Sequence, residues 1–335
     1  MKKRIFDAET YINGILQGDT VLLSQAITLL ESTRSDHQTL GQAVLEGCMP
    51  HAGKSVRIGI TGVPGVGKST FIEAFGLHVI GESHKIAVLA IDPSSRLNRG
   101  SILGDKTRMN QLSMHKNAYI RPSAAGESLG GVARRTKETI LLCEAAGFDI
   151  IIIETVGVGQ SETAVRDLTD FFLLLLLPNA GDELQGMKRG IVEMCDWIAI
   201  NKCDINAIAA KLARVQYANA LHFFPAKTNN WTANASLCSA TTHEGIADIW
   251  QTIMQFEQFT KNNHSFFENR NEQNLFWLKN AIQERVLDLF YKQENVVALL
   301  PYLEQQVVKN EISVTRAVEL CMTNLSLPKN YQSCE

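Results

Sequence analysis

Gly62-Val63-Pro64-Gly65-Val66-Gly67-Lys68-Ser69 satisfies the pattern G-x-x-x-x-G-K-[ST] at every required position. An apolar run, Val56 to Ile60, precedes it, and a helix-compatible segment, Thr70 to Phe75, follows. A strand, then a glycine-rich turn, then a helix is the setting in which this motif holds phosphates. The glycines let backbone N–H groups turn inward around an anion, and the N-terminus of the next helix adds positive potential. Residues Gly62, Val63, Pro64, Gly65, Val66, Gly67, Lys68, Ser69 and Thr70 are therefore the expected phosphate cradle. Lys68 is expected at the outer phosphates and the Ser69 hydroxyl in the shell of a Mg²⁺ ion. The stretch predicts an α/β fold of the P-loop NTPase type that binds a nucleoside triphosphate.

A second pattern speaks to the base. The apolar run Trp197-Ile198-Ala199-Ile200 ends in Asn201-Lys202-Cys203-Asp204, an N-K-x-D at the C-terminal end of a strand. An aspartate there accepts two hydrogen bonds from guanine, from its ring N–H and its exocyclic amine. Adenine lacks that pair of donors, so its carboxylate partner would stay unpaired. The Lys202 stem is expected over the base plane, with Asn201 tying the loop together. Ser239, Ala240 and Thr241 are expected to bring backbone to the guanine carbonyl. The nucleotide is therefore GTP or GDP. Cys203, inside this loop, is open to two readings, a redox switch or the commoner space-filler.

Outward from these loops the chain divides into three zones. Residues 1–55 carry helical periodicity in Val21, Leu22, Ala26, Leu29 and Leu30, then Leu40, Ala43, Val44 and Leu45. Residues 56–253 alternate apolar strand-like runs (86–91, 150–153, 171–177, 197–200, 237–239) with helical stretches. That alternation predicts a mostly parallel sheet with helices on both faces. Residues 254–335 read as helices, with Leu275, Leu278, Ile282, Val286, Leu289 and Phe290 recurring at three and four.

Strand ends facing the phosphates are where Mg²⁺ ligands are expected. Asp92 ends the second run, Asp105 follows in a polar, glycine-flanked stretch, and Glu154 ends the run 150–153. Each acid alone also suits a solvated loop or a helix cap. Their order at successive strand ends favours phosphate or Mg²⁺. Glu154-Thr155-Val156-Gly157 is an E-x-x-G where many GTPases have D-x-x-G. The glutamine that orients attacking water in small signalling GTPases directly follows that glycine. Here the position is Val158, with Gln160 two residues on, so slow intrinsic turnover is expected.

The 335 residues carry a net charge of −3 and a pI near 6.3. Neither nucleic acid nor an anionic membrane is an evident partner for that balance. Cysteines at 48, 143, 195, 203, 238, 321 and 334 show no C-x-x-C spacing and suit a reducing compartment. The apolar run 171–177 is too short to span a bilayer, and Met1 to Glu9 supplies no apolar signal core. The expected location is cytoplasmic.

Longer motifs resemble one family. Residues 62–70, DPSS at 92–95, GSILGDKTRM at 100–109, LGGVARRTKE at 129–138 and ETVGVGQSE at 154–162 together resemble the MeaB/ArgK GTPases. GDELQGMKRGI at 181–191 and the NKCD loop extend the likeness from about residue 20 to 325. The resemblance implies a homodimeric GTPase acting as chaperone to an adenosylcobalamin-dependent acyl-CoA mutase, chiefly methylmalonyl-CoA mutase. It implies gating of cofactor loading and protection or reactivation of that mutase. Asp92, Asp105 and Glu154 correspond to the family's metal- and switch-associated acids. Asn179 to Lys188 resembles the loop through which the mutase stimulates hydrolysis, making Gln185 and Lys188 candidates to complete the active site. The helical tail resembles a dimerisation arm. Two departures, Arg96 after DPSS and Ile205-Asn206 after NKCD, touch no expected ligand.

Two other classes fit the sequence less well. A kinase linked to amino-acid transport is disfavoured by the N-K-x-D loop. A metal-insertion GTPase is disfavoured because the eight histidines are dispersed rather than clustered.

Overall fold

The computed structural model describes residues 5–91, 109–121, 129–155, 161–178, 189–224, 227 and 229–323. Contacts divide the chain into two compact units, Met1–Gln273 and Asn274–Glu335.

In the first unit, β1 (Val56–Gly62), β2 (Ile86–Ile91), β3 (Ala118–Arg121), β4 (Ile150–Thr155), β5 (Phe171–Leu176), β6 (Trp197–Ile200) and β7 (Asn234–Leu237) form one sheet. Its order is β3-β2-β4-β1-β5-β6-β7, and every pairing is parallel. The central strands β1, β4 and β5 are buried at every residue. Apolar runs such as IIII and FFLLLL need cover on both faces, which parallel crossovers supply. The short edge strand β3 lies outside the strand-like runs quoted above. It has four residues and pairs on one side only, so it carries little pattern.

The helices in chain order are α1 (Ala8–Leu16), α2 (Thr20–Glu31), α3 (Ser35–Cys48), α4 (Lys68–Gly81), α5 (Asn110–Met114), α6 (Leu129–Ala145), α7 (Ser161–Arg166), α8 (Arg189–Met194), α9 (Ala207–Leu221) and α10 (Ile246–Asn262). Then come α11 (Ser265–Tyr291), α12 (Glu294–Val308) and α13 (Val314–Thr323). Aspartates start the first two helices. Asp7 accepts from the Thr10 N–H, and Asp19 from those of Val21 and Leu22. Helices α2 and α3 pack on α6, which packs on β2.

One side of the sheet is closed by α4 and α10. Phe75 meets Trp250 edge-on at 6.0 Å, and Phe171 of β5 meets Phe256 at 5.0 Å and 75°. Position 254, where the sequence reading begins its third zone, lies inside α10. That helix stays with the sheet because Ile249, Trp250, Ile253 and Phe256 are its buried face. The first turns of α11 stay too. Arg270 reaches Asp170 and the carbonyls of Gly53 and Ser55, and Gln273 donates to the Thr169 carbonyl.

The base of the sheet repeats one device three times. Asp149, Asp170 and Asp196 stand directly before β4, β5 and β6. Each carboxylate accepts the N–H of a residue at the start of the neighbouring strand: Lys85 at 2.7 Å, Arg57 at 2.8 Å and Phe172 at 2.8 Å respectively. Each acid's own N–H returns a bond to that residue's carbonyl, at 3.1, 2.8 and 2.8 Å. A charged acceptor on an N–H near a strand's start makes a strong bond and fixes register. Nitrogen groups complete the arrangement: the His84 ring on Asp149, Arg270 on Asp170, and Lys227 on Asp196. Beside them Arg57 forks onto buried Glu144, which also accepts from Gly53 N–H and the Ser55 hydroxyl.

In the second unit, α12 and α13 pack together beside the latter part of α11. They line a groove of about 1160 Å³ whose walls include Val286, Phe290, Leu303, Val307 and Val318. Among the described residues no helix is long and apolar enough to cross a membrane.

Candidate nucleotide-binding site

The glycine-rich loop leaves the C-terminal end of β1, which lies between β4 and β5 at the centre of the sheet. In open α/β sheets this is where ligands sit, beyond the strands' carboxyl ends. Two glycines there have backbones that side chains resist. Gly62 has φ of 153°, and a Cβ on it would fall 2.5 Å from the Leu175 carbonyl oxygen. Gly67, at φ 95°, caps α4, and a Cβ on it would press on Asn201 Nδ2 at 3.0 Å. The loop is thus held against its neighbours closely enough to require glycine.

Lys68, the first residue of α4, is buried, and its Nζ donates to the Gly62 carbonyl at 2.7 Å and the Val63 carbonyl at 3.4 Å. The ammonium is curled into the mouth of the loop. Ser69 follows, its hydroxyl 3.4 Å from Glu154 Oε1. Glu154 is paired in register with Ile60 of β1 and Ala90 of β2, and it is buried. The sheet therefore delivers a carboxylate to the hydroxyl at the start of α4. The next residue, Thr155, donates to Thr61 Oγ1 at 2.9 Å, joining the ends of β4 and β1. Sequence reasoning missed that hydroxyl pair. Its signal was a threonine at the end of each of two strands, legible only once their adjacency is known.

The loop after β6 closes over the first. Asn201 is buried, and its amide donates to the Val66 carbonyl at 2.8 Å. Its side-chain oxygen accepts the Ala240 N–H at 3.2 Å and faces the Cys238 thiol at 3.7 Å. One side chain thereby joins the loops after β1, β6 and β7. Lys202, at a left-handed φ of 61°, sends Nζ to the Gly65 carbonyl at 2.9 Å. A non-glycine residue in that conformation is held there by its surroundings. Asp204 and Thr241 are exposed, whereas Ser239 is fully buried and its Oγ accepts the Thr242 N–H.

Cys203 and Cys238 are both buried here, and the Cys203 N–H donates to the Cys238 carbonyl at 3.1 Å. Burial first, then the nearby Glu244 carboxylate, pushes the Cys203 thiol up; burial pushes Cys238 up further. Thiols so held are poor nucleophiles, which favours the space-filling reading of Cys203.

The structure brings Gly62 to Thr70, Glu154, Asn201 to Asp204 and Ser239 to Thr241 to one end of the sheet. Asp92, Asp105, Gln185 and Lys188 lie outside the described residues, as do Gly157, Val158 and Gln160.

Residues 23–295 match the family model described as "Methylmalonyl Co-A mutase-associated GTPase MeaB". A Caulobacter vibrioides protein described as a "Putative GTPase" is 45% identical over 321 residues, covering 96% of this chain and 98% of the relative. The Mus musculus "Methylmalonic aciduria type A homolog, mitochondrial" is 42% identical over 320 residues, covering 92% of this chain and 77% of the relative. A crystal structure of a "LAO/AO transport system kinase" superposes with a TM-score of 0.78 at 35% identity, covering 96% of this chain and 99% of that one. With its motifs in order on a parallel sheet and a match over most of its length, the chain belongs to the MeaB family of GTPases.

Proposed function

We propose that the chain binds Mg²⁺·GTP at the loops after β1, β6 and β7, hydrolyses it slowly by itself, and works as a chaperone. Its client is an adenosylcobalamin-dependent acyl-CoA mutase, methylmalonyl-CoA mutase first, whose cofactor loading it gates and which it protects or reactivates. The observation that carries the nucleotide reading is Asn201, whose one amide ties the N-K-x-D loop to the phosphate loop and to the Ser239–Thr241 loop. Phosphate and base sites are thus supported as one continuous cleft. Asp204, exposed beside them, is the residue for the guanine edge. Relatives with GTPase and methylmalonic aciduria names support the client.

The donors fit a hard divalent cation. Ser69 and Glu154 offer oxygens at neighbouring strand and helix ends, and Mg²⁺ characteristically takes few protein ligands beside phosphates and water. When bound, the ion neutralises charge on the β- and γ-phosphates. Asp92 and Asp105 are proposed to complete its surroundings. Lys68 is the cation for the outer phosphates, and catalysis is chiefly the placing of charge around the transferring group. With valine at 158, water positioning falls to Gln185 and Lys188 in a segment that answers to the client. The apolar groove of the second unit supports self-association as a homodimer.

The test is GTP hydrolysis by the purified protein, alone and with its host's adenosylcobalamin-dependent mutase. A marked rise on adding the mutase is expected. An unchanged rate with GTP still bound would leave a GTPase with another client.

A further inference from the structure

From Ile205 to His243 the sequence holds no Asp or Glu, although acids outnumber Lys and Arg by 35 to 32 over the whole chain. Helix α9 occupies the first part of that run, directly after the N-K-x-D loop. Its start is tied to the loop. The Ile205 N–H donates to the Lys202 carbonyl at 3.2 Å, and Asn206 caps the helix by accepting the Ala209 N–H at 3.0 Å.

The helix has two apolar faces. Ala210, Ala213, Tyr217 and Leu221 recur at three and four and are buried on the side that meets β6 and β7. Ile208, Leu212 and Val215 recur at the same spacing on the opposite side and are exposed, Ile208 by 84% and Leu212 by 59%. Ile205, a departure from the family's motifs that touches no expected ligand, is exposed too and extends the stripe toward the guanine loop. Lys211 and Arg214 are exposed and border the stripe along one side. Among the described residues neither has an ion pair or a side-chain hydrogen bond. Single exposed aliphatics are ordinary. A helical stripe of them beside two uncommitted cations is a patch.

Its make-up describes the surface that covers it. Aliphatic anchors at i, i+4 and i+7 fit a groove or a second helix of another protein. Two free cations with no acid among them call for apolar groups bordered by Asp or Glu, a complement that steers approach and fixes register. A lipid surface fits less well. Polybasic segments on membranes bring roughly four to eight Lys or Arg, and the net charge of −3 opposes an anionic bilayer. Position selects the partner, because a body seated on α9 adjoins the turn that presents Asp204.

We propose that α9 is a docking face for the client of the GTPase, which meets it with an apolar surface bordered by carboxylates. The proposal rests on the mutase reading above for the identity of that client.

The experiment uses the full chain, loaded with GDP or with a non-hydrolysable GTP analogue, and the purified adenosylcobalamin-dependent mutase of its host. Calorimetric titration reads the Kd at low and raised salt. Lys211→Glu with Arg214→Glu reverses the cations, and Ile208→Ser with Leu212→Ser removes the anchors. Val21→Ser, at an apolar side chain 63% exposed on α2, is the control. Each double variant should weaken mutase binding roughly tenfold or more, and Val21→Ser should not. The deficit from charge reversal should shrink as salt rises, and that from the serines should persist. Tm, GDP affinity and hydrolysis without mutase should match the wild type, since only solvent-facing side chains change. Vesicles of anionic phospholipid are the second probe, and no binding is expected. Mutase affinity unaltered in both double variants would overturn the proposal. So would vesicle binding that charge reversal abolishes while mutase binding persists, which would give the face to lipid. A wild-type protein that binds the mutase in neither nucleotide state would instead overturn the client reading, and this inference with it.

Discussion

The side-chain amide of Asn201 donates to the Val66 carbonyl at 2.8 Å, although 135 residues separate them in the chain. Val66 lies inside the phosphate loop, so the two loops are one mechanical piece. Asn201→Ala leaves that buried carbonyl and the Ala240 N–H without partners. Loss of stability by about 1–3 kcal/mol is expected, with weaker binding of both GDP and GTP. Thermal unfolding and nucleotide titration check both parts, and unchanged affinity would show the loops to be independent.

Lys68 is buried with its Nζ on the Gly62 carbonyl. Lys68→Ala should weaken GTP binding by roughly ten- to hundredfold, the value of a hydrogen bond to a charged group. Calorimetric titration reads it directly. Retained affinity would remove the phosphate-loop assignment.

Asp204→Asn exchanges a double acceptor for an amide that offers a donor. The ratio of GTP to xanthosine triphosphate affinity should fall by roughly a hundredfold. Competition against a fluorescent GDP analogue measures it, and an unaltered ratio would take guanine recognition away from Asp204.

Arg270 holds Asp170 with two bonds, at 2.8 and 2.7 Å, and also holds the carbonyls of Gly53 and Ser55. Burial opposes its charge, and Asp170 more than compensates, so its pKa is raised. Arg270→Leu strands a buried carboxylate and two carbonyls, at a cost of about 3–5 kcal/mol. A denaturant midpoint that did not move would show the pair to be dispensable.

Lys137 on α6 is half-buried. Burial, and after it the Arg57 charge, lowers its pKa to about 8. In the unfolded chain a lysine titrates near about 10.4. Below about pH 8 both states hold the proton, and the folded state bears the whole penalty. From about pH 8 to about 10.4 the unfolded state binds more protons, so stability from this group rises with pH. Lys137→Met should raise Tm at neutral pH by roughly 2 °C and flatten that rise. Parallel pH profiles for the two proteins would remove Lys137 from the account.

The nucleotide loops were legible because their chemistry is local. Gly62 to Ser69 and Asn201 to Asp204 are short words whose residue types suit the phosphate and guanine proposed for them, and the apolar runs before them declare buried parallel strands. The clamp at the base was not legible. Arg57 and Glu144, or Asp170 and Arg270, are 87 and 100 residues apart, and an isolated charge in sequence resembles any solvated one. Only the strand order shows that they meet. The edge strand β3 escaped for the opposite reason, since a four-residue strand paired on one side leaves too few positions for a pattern to repeat.

The three aspartates before β4, β5 and β6 share a direction. Asp149 bonds back to Lys85, Asp170 back to Arg57, and Asp196 back to Phe172. Every one secures a strand start made earlier in translation. As the chain leaves the ribosome N-terminus first, each finished strand waits for a later residue to lock its start. These three strand starts therefore receive their charged acceptors only from residues made later, and a truncated nascent chain ending before Asp149 lacks all three of these locks.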